Sequence, residues 1–207
     1  AALGWPSVTV IPSDLEKSKV AMTAIFGGTV LAVDGNYDDV NRLCAELVDS
    51  HPDWAFANVN LRAYYAEGSK TLAYEIAEQL GWQLPAQVLA PIASGSQLTK
   101  IAKGFREFRE LGLVSGELPT MFGAQAAGCS PVASALADGT NVIRPVKPNT
   151  IARSLAIGNP ADGPYAIDEM RASGGDCGSV TDDAVLESIA QLARTEGVFA
   201  ETAGGVV

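Results

Sequence analysis

Histidine and cysteine are scarce in this sequence of 207 residues. The one histidine, His51, excludes a metal site built from several imidazoles and leaves one candidate for a catalytic base. Three cysteines without a CxxC spacing fit neither a disulfide framework nor a zinc site. No metal site is therefore predicted, and a reducing compartment, the cytoplasm or a plastid, is the expected location.

Positive charge and long apolar runs are also in short supply. Lysine and arginine number 14 against 24 acidic residues, which gives a net charge of -10. Such a chain repels phosphate backbones and anionic lipid, so neither a nucleic acid nor a membrane is expected as a partner. No apolar run reaches the roughly 20 residues that a membrane helix needs. An anionic ligand would require local positive potential.

Short β-branched runs alternate with amphipathic stretches along the chain, a pattern that predicts an α/β fold with mainly parallel sheets. Helices are predicted near Ser13 and Asp14, over residues 37–50 and 69–80, after residue 97, and over 182–194 with Thr181 as N-cap. The predicted strands cover residues 7–11, 29–33, 55–59, 88–92, 120–124 and 197–200.

The segment PIASGSQ, between a predicted strand and a predicted helix, has the form of an anion-binding loop. Gly95 would let the backbone approach a ligand closely, and the free amides of the helix N-terminus would supply donors and partial positive charge. Ser94 and Ser96 could add hydroxyl donors. The loop matches neither nucleotide-binding glycine motif, and a plain strand-to-helix turn is the alternative interpretation.

Asn58, Asn60 and Arg62 follow the third predicted strand, where polar groups of an open α/β sheet often line a ligand crevice. Arg62 could bind a phosphate or carboxylate with two hydrogen bonds. The alternative is that these residues are ordinary surface polar groups.

Six segments in order resemble threonine synthase, and the resemblance runs through nearly the whole chain. They are VDGNYDDVNRLC at 33–44, EGSKT at 67–71, PIASGSQLTKIAKGF at 91–105, GAQAAGCSP at 123–131, SLAIGNPADG at 154–163 and TEGVFAETAGG at 195–205. The resemblance implies a fold type II, tryptophan-synthase-beta-like enzyme that uses pyridoxal 5'-phosphate. It also implies that residues 1–60 belong to a small α/β domain and residues 61–207 to the large cofactor-binding domain.

The family's reaction converts O-phosphohomoserine and water to threonine and phosphate, so O-phosphohomoserine is the implied small-molecule substrate. By position in the resemblance, the cofactor phosphate is expected to be bound by Ala93, Ser94, Gly95, Ser96 and Gln97. Asn58 and Arg62 occupy the positions at which relatives contact the substrate phosphate. Thr202 is the expected partner of the pyridine nitrogen, and an alignment that puts Ala203 there would leave that role empty.

The catalytic lysine of the family, in a Ser-Phe-Lys-Asp-like motif, has no counterpart in these residues. The resemblance places that motif before Ala1, so the sequence is expected to be an incomplete enzyme and inactive alone. Alternatives are another fold type II lyase, such as a threonine or serine dehydratase or a cysteate synthase, or an inert homologue that binds a phosphorylated metabolite or a partner subunit. A homodimer is compatible with each of these hypotheses.

Overall fold

The computed structural model describes residues 3–58 and 67–207. The chain divides into two compact units, Ala1–Asn60 and Leu61–Val207. Their predicted assignment to the small and large domains of the family stays a prediction.

The first unit contains a parallel pair of strands with two helices. Strand β1 (Val8–Pro12) pairs with β2 (Thr29–Val33) in the register Val8 to Thr29, and helix α1 (Lys17–Ala24) connects them. Helix α2 (Tyr37–Ser50) follows, and its apolar stripe buries Val40 and Cys44. This helix begins at a capping box, in which the Asn36 side chain accepts from two first-turn amides while the Asp39 carboxylate accepts from the Asn36 amide.

The second unit contains a three-stranded parallel sheet with flanking helices. In chain order its elements are α3 (Thr71–Gln79), β3 (Gln87–Pro91), α4 (Ser96–Glu110), β4 (Thr120–Ala126), α5 (Pro131–Ala137), a 3₁₀ turn (Arg153–Leu155), α6 (Gly163–Ser173), β5 (Cys177–Val180) and α7 (Asp182–Glu196). The strand order is β3-β4-β5, with β4 in the centre and every pairing parallel. This pairing confirms the predicted α/β class with parallel sheets.

Two cores hold the second unit together. The larger one gathers buried apolar side chains of α3, β3, α4, β4, α5 and α6, among them Phe105, Leu98 and Met170. The smaller one surrounds Val185 and Ile189 of α7 and includes Ala203 and Val206 near the end of the chain. A leucine, phenylalanine or methionine side chain contributes about 1.5–3 kcal/mol to folding when it is fully buried. The larger core includes Ala90 and Ile92, so the loop after β3 begins at a well-packed part of the sheet.

Three predictions about local structure are wrong. The described residues 55–58 form no strand, because the Asn58 amide donates to Phe56 O at 3.0 Å and the backbone turns there. Residues 197–200 form no strand either, since Gly197 ends α7 with a φ of +70° and Phe199 is exposed. Helix α1 begins at Lys17, not near Ser13 and Asp14. In the part of the chain that the structure describes, no helix is long and apolar enough to cross a membrane.

Candidate functional site

The loop between β3 and α4 is held against the central strand at its start. Beyond the end of β3, Ile92 continues the pairing, with its amide donating to Ala124 O at 2.8 Å. Gly95 is the N-cap of α4 in the left-handed conformation, at φ 94° and ψ -11°, so it provides no capping side chain. The chain therefore turns sharply at Gly95 into the start of α4.

Residues at the start of α6 hold the same loop from behind. The Asp162 amide donates to Ser94 O at 2.8 Å. A Cβ on Gly95 would lie 2.6 Å from Asp162 O and 2.7 Å from Asp162 C, both of them backbone atoms. The positive φ and this close approach together explain why the position requires glycine.

Ser96, the first residue of α4, has a buried hydroxyl that is unsatisfied. Its Oγ has no hydrogen-bond partner within residues 3–58 and 67–207, although only 5% of the residue is exposed. Buried polar atoms without a partner are uncommon, and they often mark the position of a missing ligand. The first-turn amides of Gln97 and Leu98 have no acceptor within their own helix. Donors and helix dipole thus converge at one point, as anion binding requires.

A cavity of about 350 Å³ opens in front of this helix start. It is lined by Ser69, Pro91, Ala93, Ser94, Gly95, Ser96, Gln97, Ser154, Leu155, Glu201 and Ala203. Across the cavity, the Ser154 hydroxyl donates to Glu201 Oε1 at 3.3 Å. None of these lining residues is a lysine or arginine, so backbone amides and hydroxyls supply the positive potential.

The five predicted phosphate-loop residues, 93–97, all line this cavity. Thr202 is half-buried and is not among the lining residues, whereas its neighbours Glu201 and Ala203 are. Ser69, Ser154 and Glu201 were assigned no role from the sequence. Each lies in a segment that resembles the family, so position in those segments was the available signal.

The predicted substrate-binding residues belong to another part of the chain. Asn58 lies in the first unit, where its Nδ2 donates to Asn41 Oδ1 at 2.9 Å and to Tyr37 Oη at 3.3 Å. Arg62 and Asn60 lie outside the described residues. The substrate-phosphate role of Asn58 and Arg62 stays a prediction.

A network of charged side chains lies next to the cavity residue Ser69. Lys70 Nζ is 2.5 Å from both Glu107 Oε2 and Glu67 Oε2, and Lys103 also pairs with Glu67. These contacts join the start of α3 to the middle of α4. The Lys103 and Lys70 ammonium groups lower the pKa of Glu67 to about 2, and Lys70 lowers the pKa of Glu107.

Hydrogen bonds from Lys70 to Glu107 and then to Glu67 raise the pKa of Lys70 above its usual range. Lys70 therefore serves as an ion-pair partner of the two carboxylates.

Comparison with known proteins identifies the class to which this fold and loop belong. The sequence model of the family described as pyridoxal-phosphate dependent enzyme matches residues 1–207. The chain belongs to this family. Members depend on pyridoxal phosphate, and the unsatisfied Ser96 hydroxyl, the glycine turn and the helix N-terminus fit the phosphate group of that cofactor.

Curated relatives point to one branch of the family. The chain is 37% identical over 205 residues to the threonine synthase of Methanosarcina acetivorans, covering 98% of this chain and 50% of that protein. It is 38% identical over 205 residues to the threonine synthase of Methanocaldococcus jannaschii, with the same coverage. The chain thus spans about half the length of the curated relatives it matches.

Solved structures confirm the predicted fold type II architecture. A fungal L-serine ammonia-lyase from Rhizomucor miehei superposes with a TM-score of 0.76 at 19% identity, covering 99% of this chain and 61% of that one. At this identity, the likeness concerns the fold alone.

Proposed function

We propose that the protein containing this chain is a threonine synthase, which converts O-phosphohomoserine and water to threonine and phosphate. The observation that carries the proposal is the identity of 37–38% to proteins named threonine synthase over 98% of the chain. The cavity supports it, because the start of α4, four serine hydroxyls and one carboxylate line it. The bound cofactor would act as the electron sink for the reaction.

Residues of this chain would hold and orient the cofactor. The Ser96 hydroxyl and the first-turn amides of α4 would donate to its phosphate, with Ser94 and Gly95 shaping the loop around it. Thr202, which lies between the lining residues Glu201 and Ala203, remains the proposed partner of the pyridine nitrogen. Thr202→Val replaces the hydroxyl with a methyl group of similar size, and a change in the absorbance of the bound cofactor would support this role.

The Ser96 hydroxyl offers a direct test of phosphate binding in the intact protein. Ser96→Ala should weaken the binding of pyridoxal 5'-phosphate at least about tenfold, because a hydrogen bond to a charged group contributes about 1.5–3 kcal/mol. Binding of pyridoxal, which lacks the phosphate, should not change. Ser179→Ala on the exposed side of β5 is the matched control. Equal binding of pyridoxal 5'-phosphate by the variant and the unmodified protein would contradict the assignment of this loop.

Product analysis tests the reaction itself. The intact protein should release threonine and inorganic phosphate in equal amounts from O-phosphohomoserine. Release of ammonia from serine or threonine as the main activity would instead favour the dehydratase alternative. Tight cofactor binding without turnover of any of these compounds would favour an inert homologue.

A further inference from the structure

Gln125, near the end of the central strand β4, is a polar side chain with no exposed surface. Its Oε1 accepts from the amides of Val132 and Ala133 at 2.9 and 3.0 Å, in the first turn of α5. Its Nε2 donates to Ile92 O at 3.3 Å. The Gln125 side chain thus caps α5 and also holds the Ile92 carbonyl, just beyond the end of β3.

The Ile92 carbonyl belongs to the peptide that leads into the phosphate loop. This peptide joins Ile92 to Ala93, the first lining residue of that segment, so its orientation sets the direction of the residues that follow. Two residues later, the Asp162 amide holds the Ser94 carbonyl. The entry to the loop is therefore fixed by two donors, one a side chain and the other a backbone amide.

We propose that Gln125 is a positioning residue for the cofactor phosphate, acting through the Ile92 carbonyl on the loop that carries Ser96. This inference rests on the proposed function, because it takes the loop of residues 93–97 and the start of α4 to bind the phosphate. The two halves of the Gln125 amide have separate tasks: the oxygen caps α5 and the nitrogen aligns the loop.

Gln125→Glu separates the two tasks. The introduced carboxylate has nearly the same shape and still accepts from the α5 amides, where negative charge at a helix start is favourable. It cannot donate to Ile92 O, and the two oxygens repel each other. When protonated, the carboxyl can again donate. Gln125→Met keeps the approximate length of the side chain, with neither donor nor an equivalent acceptor.

The measurement is the ratio of the Kd of pyridoxal to the Kd of pyridoxal 5'-phosphate for the intact protein, which isolates the contribution of the phosphate. At about pH 8, we expect Gln125→Glu and Gln125→Met to lower this ratio about tenfold. Towards about pH 5.5, across the range in which a buried carboxyl takes up a proton, Gln125→Glu should recover and Gln125→Met should not. Each ratio is divided by that of the unmodified protein at the same pH, since the ligand phosphate also changes its charge over this range. Gln191→Glu, on the exposed face of α7, controls for the added charge.

Each outcome decides between the proposals. If the unmodified protein does not prefer the phosphorylated ligand, phosphate binding at this loop fails, and the inference about Gln125 fails with it. If the unmodified protein has this preference and folded Gln125→Glu keeps it at pH 8, only the inference about Gln125 is overturned. If neither variant folds, Gln125 is a structural residue of the core and its positioning role is refuted. Loss at pH 8 with recovery on acidification in Gln125→Glu alone supports the proposal.

Discussion

Replacing Gly95 with alanine should distort the phosphate loop, because the added methyl group has no space. The Cβ would lie 2.6 Å from Asp162 O, and this contact must lengthen to about 3.4 Å, a displacement of about 0.8 Å. Both nearest atoms are backbone atoms, so no side-chain rotation can relieve the contact. The loop must move away from α6, and the hydrogen bond from the Asp162 amide to Ser94 O must stretch or break.

The magnitude has two parts that a control can separate. Alanine in the left-handed conformation costs about 1–2 kcal/mol, and forcing a group into a packed region typically costs a further 1–3 kcal/mol. Gly139→Ala has the first cost alone, since Gly139 has a φ of +71° and nothing within 4 Å of its Cβ position. Gly95→Ala should therefore lower the free energy of unfolding by about 2–5 kcal/mol, and Gly139→Ala by about 1–2 kcal/mol.

The assay combines urea denaturation with ligand binding by the intact protein. Loss of one hydrogen bond to the phosphate should weaken the binding of pyridoxal 5'-phosphate at least tenfold in Gly95→Ala, and Gly139→Ala should bind normally. If the two variants lost equal stability and both bound the ligand normally, the close approach of Gly95 to α6 would have no role in the site.

Two further predictions concern stability. Lys70→Met should lower the free energy of unfolding more at pH 7 than near pH 2, measured by urea titration at each pH. Lys70 lowers the pKa of Glu67 and Glu107, so the ion pairs contribute to the free energy of unfolding above about pH 4.3. This contribution is lost as the pH falls towards 2, where the carboxylates take up protons. An equal loss of stability in Lys70→Met at both pH values would mean that the ion pairs contribute nothing. Thr181→Ala should lower the melting temperature by about 2–4 °C through loss of the α7 N-cap, worth about 1 kcal/mol. Thr195→Ala, at the exposed end of the same helix, should have almost no effect, and a larger change there than at Thr181 would contradict the capping argument.

Local sequence signals were sufficient for the elements with strong periodicity. Helix α2 has the predicted limits of residues 37–50, because its apolar stripe lies within the segment and its cap, Asn36, directly precedes it. Thr181 caps α7 as predicted, with its hydroxyl accepting from the Ala184 amide. The strand-to-helix loop at residues 93–97 was also located from local features, a glycine with flanking serines between a buried strand and a helix, and its phosphate-binding role stays a prediction.

Helices and strands that depend on residues far away in the sequence were not predicted. Helix α5 is short and uncharged, and its first amides are satisfied by Gln125 of β4 rather than by a capping residue beside it. Strand β5, with the sequence CGSV, has little β-propensity and forms where β4 offers a parallel partner. The strand predicted at 197–200 failed for the opposite reason, since its apolar run has no strand partner in the described chain.

The residues that line the cavity also divide into those with a local sequence signal and those without one. The loop residues 93–97 are contiguous and carry their own signal, whereas Ser69, Ser154 and Glu201 come from three separate segments that only the fold brings together. Hydroxyl and carboxylate groups are frequent throughout the sequence. Their spacing could not single out these three.

The source of positive potential explains how an acidic chain can hold a phosphate. The net charge of -10 opposes an anion at long range, but this repulsion is screened over about 8–10 Å at physiological salt. At short range the phosphate would meet the start of α4, where amides and the Ser96 hydroxyl are fixed by the fold. Fixed donors need no ordering of flexible lysine or arginine side chains when the ligand binds. Affinity in such a site would depend on the orientation of a few backbone groups, and Gly95 and, under our proposal, Gln125 would set this orientation.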